Sequence, residues 1–178
     1  MLTTSQTDYL LSLPKYVVNK DGDKMDVVTV DIDAFYDHRI LLQVVNDDTI
    51  SDFLLRIRRS KKYTLNLTLH VQDNESKDCI VRIDYGASHT NPTNILETLP
   101  EKFHSFAGQI LHEPHMHYNI DGYKVASWAL PLSEANFSPD KLENLGFRVN
   151  FREAIYNFVQ FINVQTPILV DNPNKLFS

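Results

Sequence analysis

Apolar residues recur along this chain with two different periods, and the change from one to the other sketches the fold. The clearest period of two runs from Thr64 to Val71. Leu65, Leu67, Leu69 and Val71 fall on one face, and Thr64, Asn66, Thr68 and His70 on the other, the pattern of a strand with one buried side. Val27 to Ile32, Ile40 to Val45 and Phe53 to Arg58 are rich in β-branched and apolar residues between polar turns and predict further strands. The polar stretch Asp73 to Asp78 predicts a turn, with Ile80 to Tyr85 returning as an antiparallel partner. Near the C-terminus the period becomes helical: Phe151, Ala154, Ile155, Phe158, Val159 and Ile162 line one face, which needs a sheet to cover. Asn150 with Glu153 three residues on reads as a capping box for that helix.

Smaller signals complete the outline. Thr4 to Leu13 predicts a short N-terminal helix closed by Pro14, and Ile168 to Val170 a short edge strand. From Gly86 to Glu113 no regular pattern runs, and a loop of that length is uncommon unless functional or disordered. Pro114 to Ile120 and Tyr123 to Leu130 flank Asp121-Gly122, the dipeptide that favours a two-residue type I′ turn. The expectation is an α+β fold: an antiparallel meander packed by a C-terminal helix, with a short N-terminal helix, in a single domain over residues 1–178.

Composition narrows the classes. With 43% hydrophobic and 22% charged residues over 178 positions, the chain is ordinary globular material. Its apolar runs are too short to span a bilayer, Met1 to Leu13 lacks the basic start of a secretion signal, and the expected location is cytoplasmic. One cysteine, Cys79, leaves no disulfide framework and no multi-cysteine zinc site; in a predicted strand with no base beside it, it reads as a buried structural thiol. The net charge of −6 disfavours a general polyanion binder and suits a protein that docks on something basic. Against that total, Arg56, Arg58, Arg59, Lys61 and Lys62 form a local basic cluster near Tyr63. It reads either as a charged strand end that discourages edge pairing or as a nucleic-acid contact through Arg56, Arg58, Lys61 and Lys62.

Candidate chemistry sits in the hairpin. With a two-residue turn, His117 would lie opposite Ala126 and His115 opposite Trp128, with His115, His117 and Asn119 on one face and Met116, Tyr118 and Ile120 on the other. An H-x-H pair on a strand places two imidazoles side by side, donors suited to zinc or another divalent transition metal. His89 is the first candidate for a further ligand and His104 the next. His112 is a further option, and Asp84 can supply a carboxylate. The competing reading is polar surface, and for Asp84 an ion pair with Arg82 on the same strand face. His70 and His38 read as structural. Cupins supply another histidine from a later strand, and none follows His117. No phosphate-cradling glycine loop occurs among five glycines, and no acid–base pair stands out as catalytic.

The order Arg82-Ile83-Asp84-Tyr85, His89-Thr90-Asn91-Pro92, then Pro114-His115-Met116-His117 with Asp121-Gly122 resembles the toxins of TumE-like toxin–antitoxin modules, within a group of small bacterial and phage proteins. The resemblance implies a role in conflict between phage, mobile element and host. Two functions follow as expectations. One is a non-enzymatic, metal-binding inhibitor of a host defence nuclease, anti-CRISPR-like, which occludes a nucleic-acid-binding effector by protein–protein contact. The other is a metal-dependent toxin acting on nucleic acid. The acidic balance and the missing catalytic signature favour the first; the basic cluster and same-face histidines favour the second.

Overall fold

In a computed structural model of the protein, residues 2–32, 36–46, 49–60, 65–145 and 148–171 are described. The fold is α+β. Helix α1 (Thr4–Ser12) starts on a capping box the sequence patterning did not mark: Thr3 Oγ1 accepts from Gln6 N, and Gln6 Oε1 accepts from Thr3 N. Strands β1 (Tyr16–Val17), β2 (Val28–Asp31), β3 (Asp37–Asn46), β4 (Thr49–Arg59), β5 (Leu67–Asp73) and β6 (Cys79–Tyr85) follow. The long segment after β6 carries β7 (His89–Thr90), a 3-10 helix (Glu101–Phe106) and β8 (Ile110–Leu111), the two strands paired with each other. Then come β9 (His115–Tyr118), β10 (Trp128–Pro131), the small pair β11 (Asn144–Leu145) and β12 (Arg148–Val149), helix α2 (Phe151–Phe161) and β13 (Ile168–Asp171).

Seven strands form one antiparallel sheet in the order β1-β3-β4-β5-β6-β9-β10. The edge strand expected at residues 168–170 exists, but it pairs in parallel with β2, apart from this sheet. Period-two patterning sorts the sheet's faces. Leu42, Phe53, Leu55, Leu69, Val71, Val81, Ile83 and Met116 point into the core, where α2 lays Phe151, Ala154, Ile155, Phe158 and Val159 over them. A smaller cluster of Leu99, Phe103, Ile120, Tyr123, Trp128 and Leu130 binds the 3-10 helix to the β9–β10 end. No helix among the described residues is long and apolar enough to cross a membrane.

Two local expectations are corrected. Asn150 stands at the N-cap of α2 but makes no side-chain cap bond. Its amide instead accepts from Glu143 N at 2.9 Å and donates to Lys141 O at 3.3 Å, so it holds the preceding loop. The turn at Asp121-Gly122 does form, with Tyr123 N donating to Ile120 O at 3.1 Å, yet it does not close a two-residue hairpin. Gly122 has φ +85° while Asp121 stays out of the positive-φ region, which a type I′ turn requires at both positions. Side chains hold the wider loop instead. Asp121 Oδ1 accepts from Thr4 N at 2.8 Å, and Asn119 Oδ1 accepts from Ala126 N at 2.9 Å. The register therefore sets Ala129 opposite His117 and Pro131 opposite His115, in place of Ala126 and Trp128.

Candidate metal centre

The site stands on β6 and β9, neighbours near one end of the sheet. Their register sets Arg82 opposite His117, Ile83 opposite Met116 and Asp84 opposite His115. Alternation sends Ile83 and Met116 into the core and the other four side chains to the opposite face. On that face Asp84, His115 and His117 are nevertheless closed off, at 2%, 0% and 6% exposure. One ligand-type atom from each lies within 4.8 Å of the other two.

The donor pattern fixes the tautomers. His117 Nδ1 lies 3.0 Å from Ala126 O and His115 Nδ1 lies 2.8 Å from Glu113 O. A carbonyl only accepts, so each Nδ1 carries the proton and each Nε2 presents a lone pair. His117 Nε2 is 3.1 Å from Asp84 Oδ2, an atom that also only accepts when ionised. His115 Nε2 is buried with no hydrogen-bond partner among the described residues. A proton on His117 would satisfy one of these contacts; a metal ion satisfies all three atoms. Carbonyl bonds at the far nitrogen are the usual outer support of metal-binding imidazoles. Tetrahedral bonds of about 2.0 Å set ligand atoms about 3.3 Å apart, so small ring rotations close the group on an ion.

Protonation states suit ligation, which needs neutral imidazole and ionised carboxylate. Burial alone would raise Asp84, but a proton on His117 Nε2 when no ion is bound, the Arg82 charge and the Thr68 hydroxyl outweigh it and hold the carboxyl at about 2. Arg82 grips the carboxylate with Nε at 2.7 Å and a terminal nitrogen at 3.0 Å, and Thr68 Oγ1 donates at 2.8 Å. Burial lowers His115 below the usual imidazole range despite its bond to Glu113 O, and the neighbouring His117 pushes the same way. The Arg82–Asp84 pair anticipated from the sequence exists, with its acid buried instead of exposed.

His89 is brought to the cluster from the long segment. Its ring centroid lies 4.5 Å from that of His117 and 5.7 Å from that of His115. His89 Nε2 lies 2.9 Å from Ser127 O, so it donates there and Nδ1 is left as the basic nitrogen. Two residues on, Asn91 is bonded to both backbone groups of Ala129: Oδ1 accepts from Ala129 N at 2.8 Å and Nδ2 donates to Ala129 O at 2.9 Å. The His89-Thr90-Asn91-Pro92 stretch thus runs along the outer edge of β10 and covers it. Asn91 was missed as a positioning residue, although an H-x-N alternation is the signal that puts both side chains on one side.

His104 does not join the cluster. It is exposed on the 3-10 helix, with Nε2 3.1 Å from Leu99 O. His112 is exposed as well. His38 contacts Asp31 O at 2.9 Å, and His70, half-buried on β5, is lowered to about 4 by burial and by the charges of Arg82 and Arg56. Burial pushes the Cys79 thiol up to about 12, which removes it as a nucleophile. Of the basic cluster, Arg56 and Arg58 stand on β4; Lys61 and Lys62 lie outside the described residues.

Residues 2–164 match the Family of unknown function (DUF6978). No curated protein and no solved structure matches the chain.

Proposed function

The chain belongs to the DUF6978 family, and from that premise we propose that it holds a divalent transition metal, zinc before others, on Asp84, His115 and His117. The ion would serve cleavage of phosphate esters in nucleic acid, the activity of a toxin in a toxin–antitoxin module. The observation that carries the reading is the convergence of two imidazole lone pairs and a carboxylate oxygen, one of the three an orphaned buried atom. Asp84, His115 and His117 would hold a zinc ion by three side chains, and such an ion would supply the activation of a water near neutral pH. Arg82 spends two of the five guanidinium N–H groups on Asp84, and the rest of this 44% exposed side chain can engage a phosphate oxygen. His89 Nδ1 takes the proton water loses as its oxygen bonds to phosphorus. It then returns that proton to the ester oxygen that leaves, giving a phosphomonoester and an alcohol.

Elemental analysis of the purified protein tests the centre. About one ion per chain is expected, with loss in His115→Ala and His117→Ala variants whose circular dichroism is unchanged. Protein free of metal whose Tm does not rise on adding zinc overturns it. For the toxin role, induced expression should arrest growth, and the double histidine variant should relieve the arrest.

A second reading is favoured by the near-complete closure of the three ligands and by the net charge of −6. Here the ion is structural, with His89 as a fourth ligand, and the protein is an anti-CRISPR-like inhibitor that docks on the basic groove of a defence nuclease. X-ray absorption showing four protein ligands, together with salt-sensitive capture of such a nuclease, would select this reading. Three ligands plus solvent would exclude it.

A further inference from the structure

On the sheet face opposite the core the outward side chains are ordered by the register, closed off at β6 and β9 around Asp84, His115 and His117 and exposed or half-buried at β3 and β4. Across β3, β4, β5, β6 and β9, one row reads Arg39, Arg56, His70, Arg82, His117. The adjacent row reads Asp37, Arg58, Thr68, Asp84, His115. Both rows end at the metal centre. Arg39, Arg58 and Arg82 are exposed and Arg56 is half-buried. Four guanidiniums therefore face two carboxylates, in a protein whose total charge is −6.

The two acids do not neutralise the face evenly. Asp37 is taken by Arg56, with bonds of 2.7 and 2.8 Å, and Arg39 reaches it only at 3.9 Å. Arg58 makes no ion pair with another described residue. Strand spacing of about 4.8 Å puts Arg39 about 14 Å from Arg82 across the sheet. This is a linear, partly unpaired cationic array running at right angles to the strands.

We propose that this face is the track on which a nucleic-acid strand lies, its phosphodiester backbone carried over Arg39, Arg58 and Arg56 to Arg82 and the metal centre. Guanidinium forks match phosphate oxygens in pairs, and charge complementarity selects a polyanion for a face this rich in arginine. The only rings in the two rows are imidazoles, with His115 and His117 buried and His70 half-buried, so the backbone is bound and the sequence is not read. The inference rests on the preceding reading for the bond that is attacked; the binding itself stands on the arginine rows alone.

Fluorescence anisotropy with end-labelled single-stranded 12-mers of RNA and of DNA, on the full chain, tests it. Binding is expected for both, weakening with salt at a log–log slope of about −2 to −3 for three to four phosphates. Arg39→Gln with Arg58→Gln should weaken binding by about tenfold and make the slope shallower by about 1.4. The corresponding double substitution to Lys should keep the slope. Tighter binding of RNA would add a contact to the 2′-hydroxyl, and equal binding would assign the affinity to phosphate; either supports the track. No binding, binding unchanged in the Gln variant, or equal competition by a poly-glutamate peptide overturns it. The His115→Ala variant separates the two readings, because it should lose metal and still bind the oligonucleotide. Metal without oligonucleotide binding sinks the track alone, and oligonucleotide binding without metal sinks the centre alone.

Discussion

Lys15 shows how much one polar atom can organise. Its side chain is 0% exposed, and Nζ donates to Leu10 O, Leu11 O, Leu13 O and Ile162 O at 2.6 to 3.2 Å. Those carbonyls close the C-terminal ends of α1 and α2, which expose unpaired acceptors that favour a cation. The same ammonium faces the Phe53 ring at 5.4 Å, so it joins both helices to the sheet. Burial lowers its pKa to about 8, against about 10.4 in an unfolded chain. Because the folded value is the lower one, the unfolded state binds more protons between these pH values. Stability from this residue therefore rises with pH across about 8 to 10.4. Lys15→Met should lower stability by about 2 to 3 kcal/mol, since buried carbonyls lose their donor, and should flatten that rise. Urea melts at pH 7 and pH 9.5 measure both effects, and a variant as stable as the parent with the same pH trend would refute the account. Nothing in the local sequence marked Lys15, because its partners sit 147 residues away as well as nearby.

At the scale of elements, alternation and helical period were legible and register was not. The one-face placement of His115, His117 and Asn119 follows from a period of two, and all three are buried together. Which residues oppose them depends on loop closure, and there the contacts from Thr4 and within Asn119 override the turn preference of Asp121-Gly122. Asp84 was legible only as an option, since its burial depends on β9 lying beside β6. In the same way, the spacing of the α2 cap was right while its Asn150 amide went to the neighbouring loop. The long segment after Gly86 looked structureless because its order comes from docking on an edge strand, which has no period. That docking makes a prediction. Asn91→Ala leaves both backbone groups of Ala129 without their side-chain partner, a cost of about 1 to 3 kcal/mol. Hydrogen exchange should then accelerate at Ala129 and across residues 93–98, with β4 and β5 protected as before. Uniform loss of protection would mean the segment and sheet open as one unit.

For the whole molecule, acid is the condition that reaches the site and the open face together. His70 is held at about 4 and Asp84 at about 2, each below its ordinary range. A depressed folded value means that protons bind the unfolded chain more readily, so stability contributed by these groups is lost as pH falls. For His70 the window runs from about 6.5 down to 4, and for Asp84 from about 3.8 down to 2. From these groups the stability curve should therefore be flat between about pH 6.5 and the onset of the Lys15 rise near 8, and decline in two stages below pH 6.5. His70→Gln shrinks the first stage, which the lowered imidazoles of His115 and His89 share, and leaves the second, because glutamine does not titrate while the Asp84 partners remain. Bound metal steepens the acid dependence, since protons compete with the ion for His115 and His117. Thermal melts from pH 7 to 3, with and without zinc, separate these contributions. A His70→Gln curve that bends as much as the parent's between pH 6.5 and 4 would show that other groups carry that stage. A zinc-induced gain in Tm that is as large at pH 4 as at pH 7 would show that the ion is not held by imidazole.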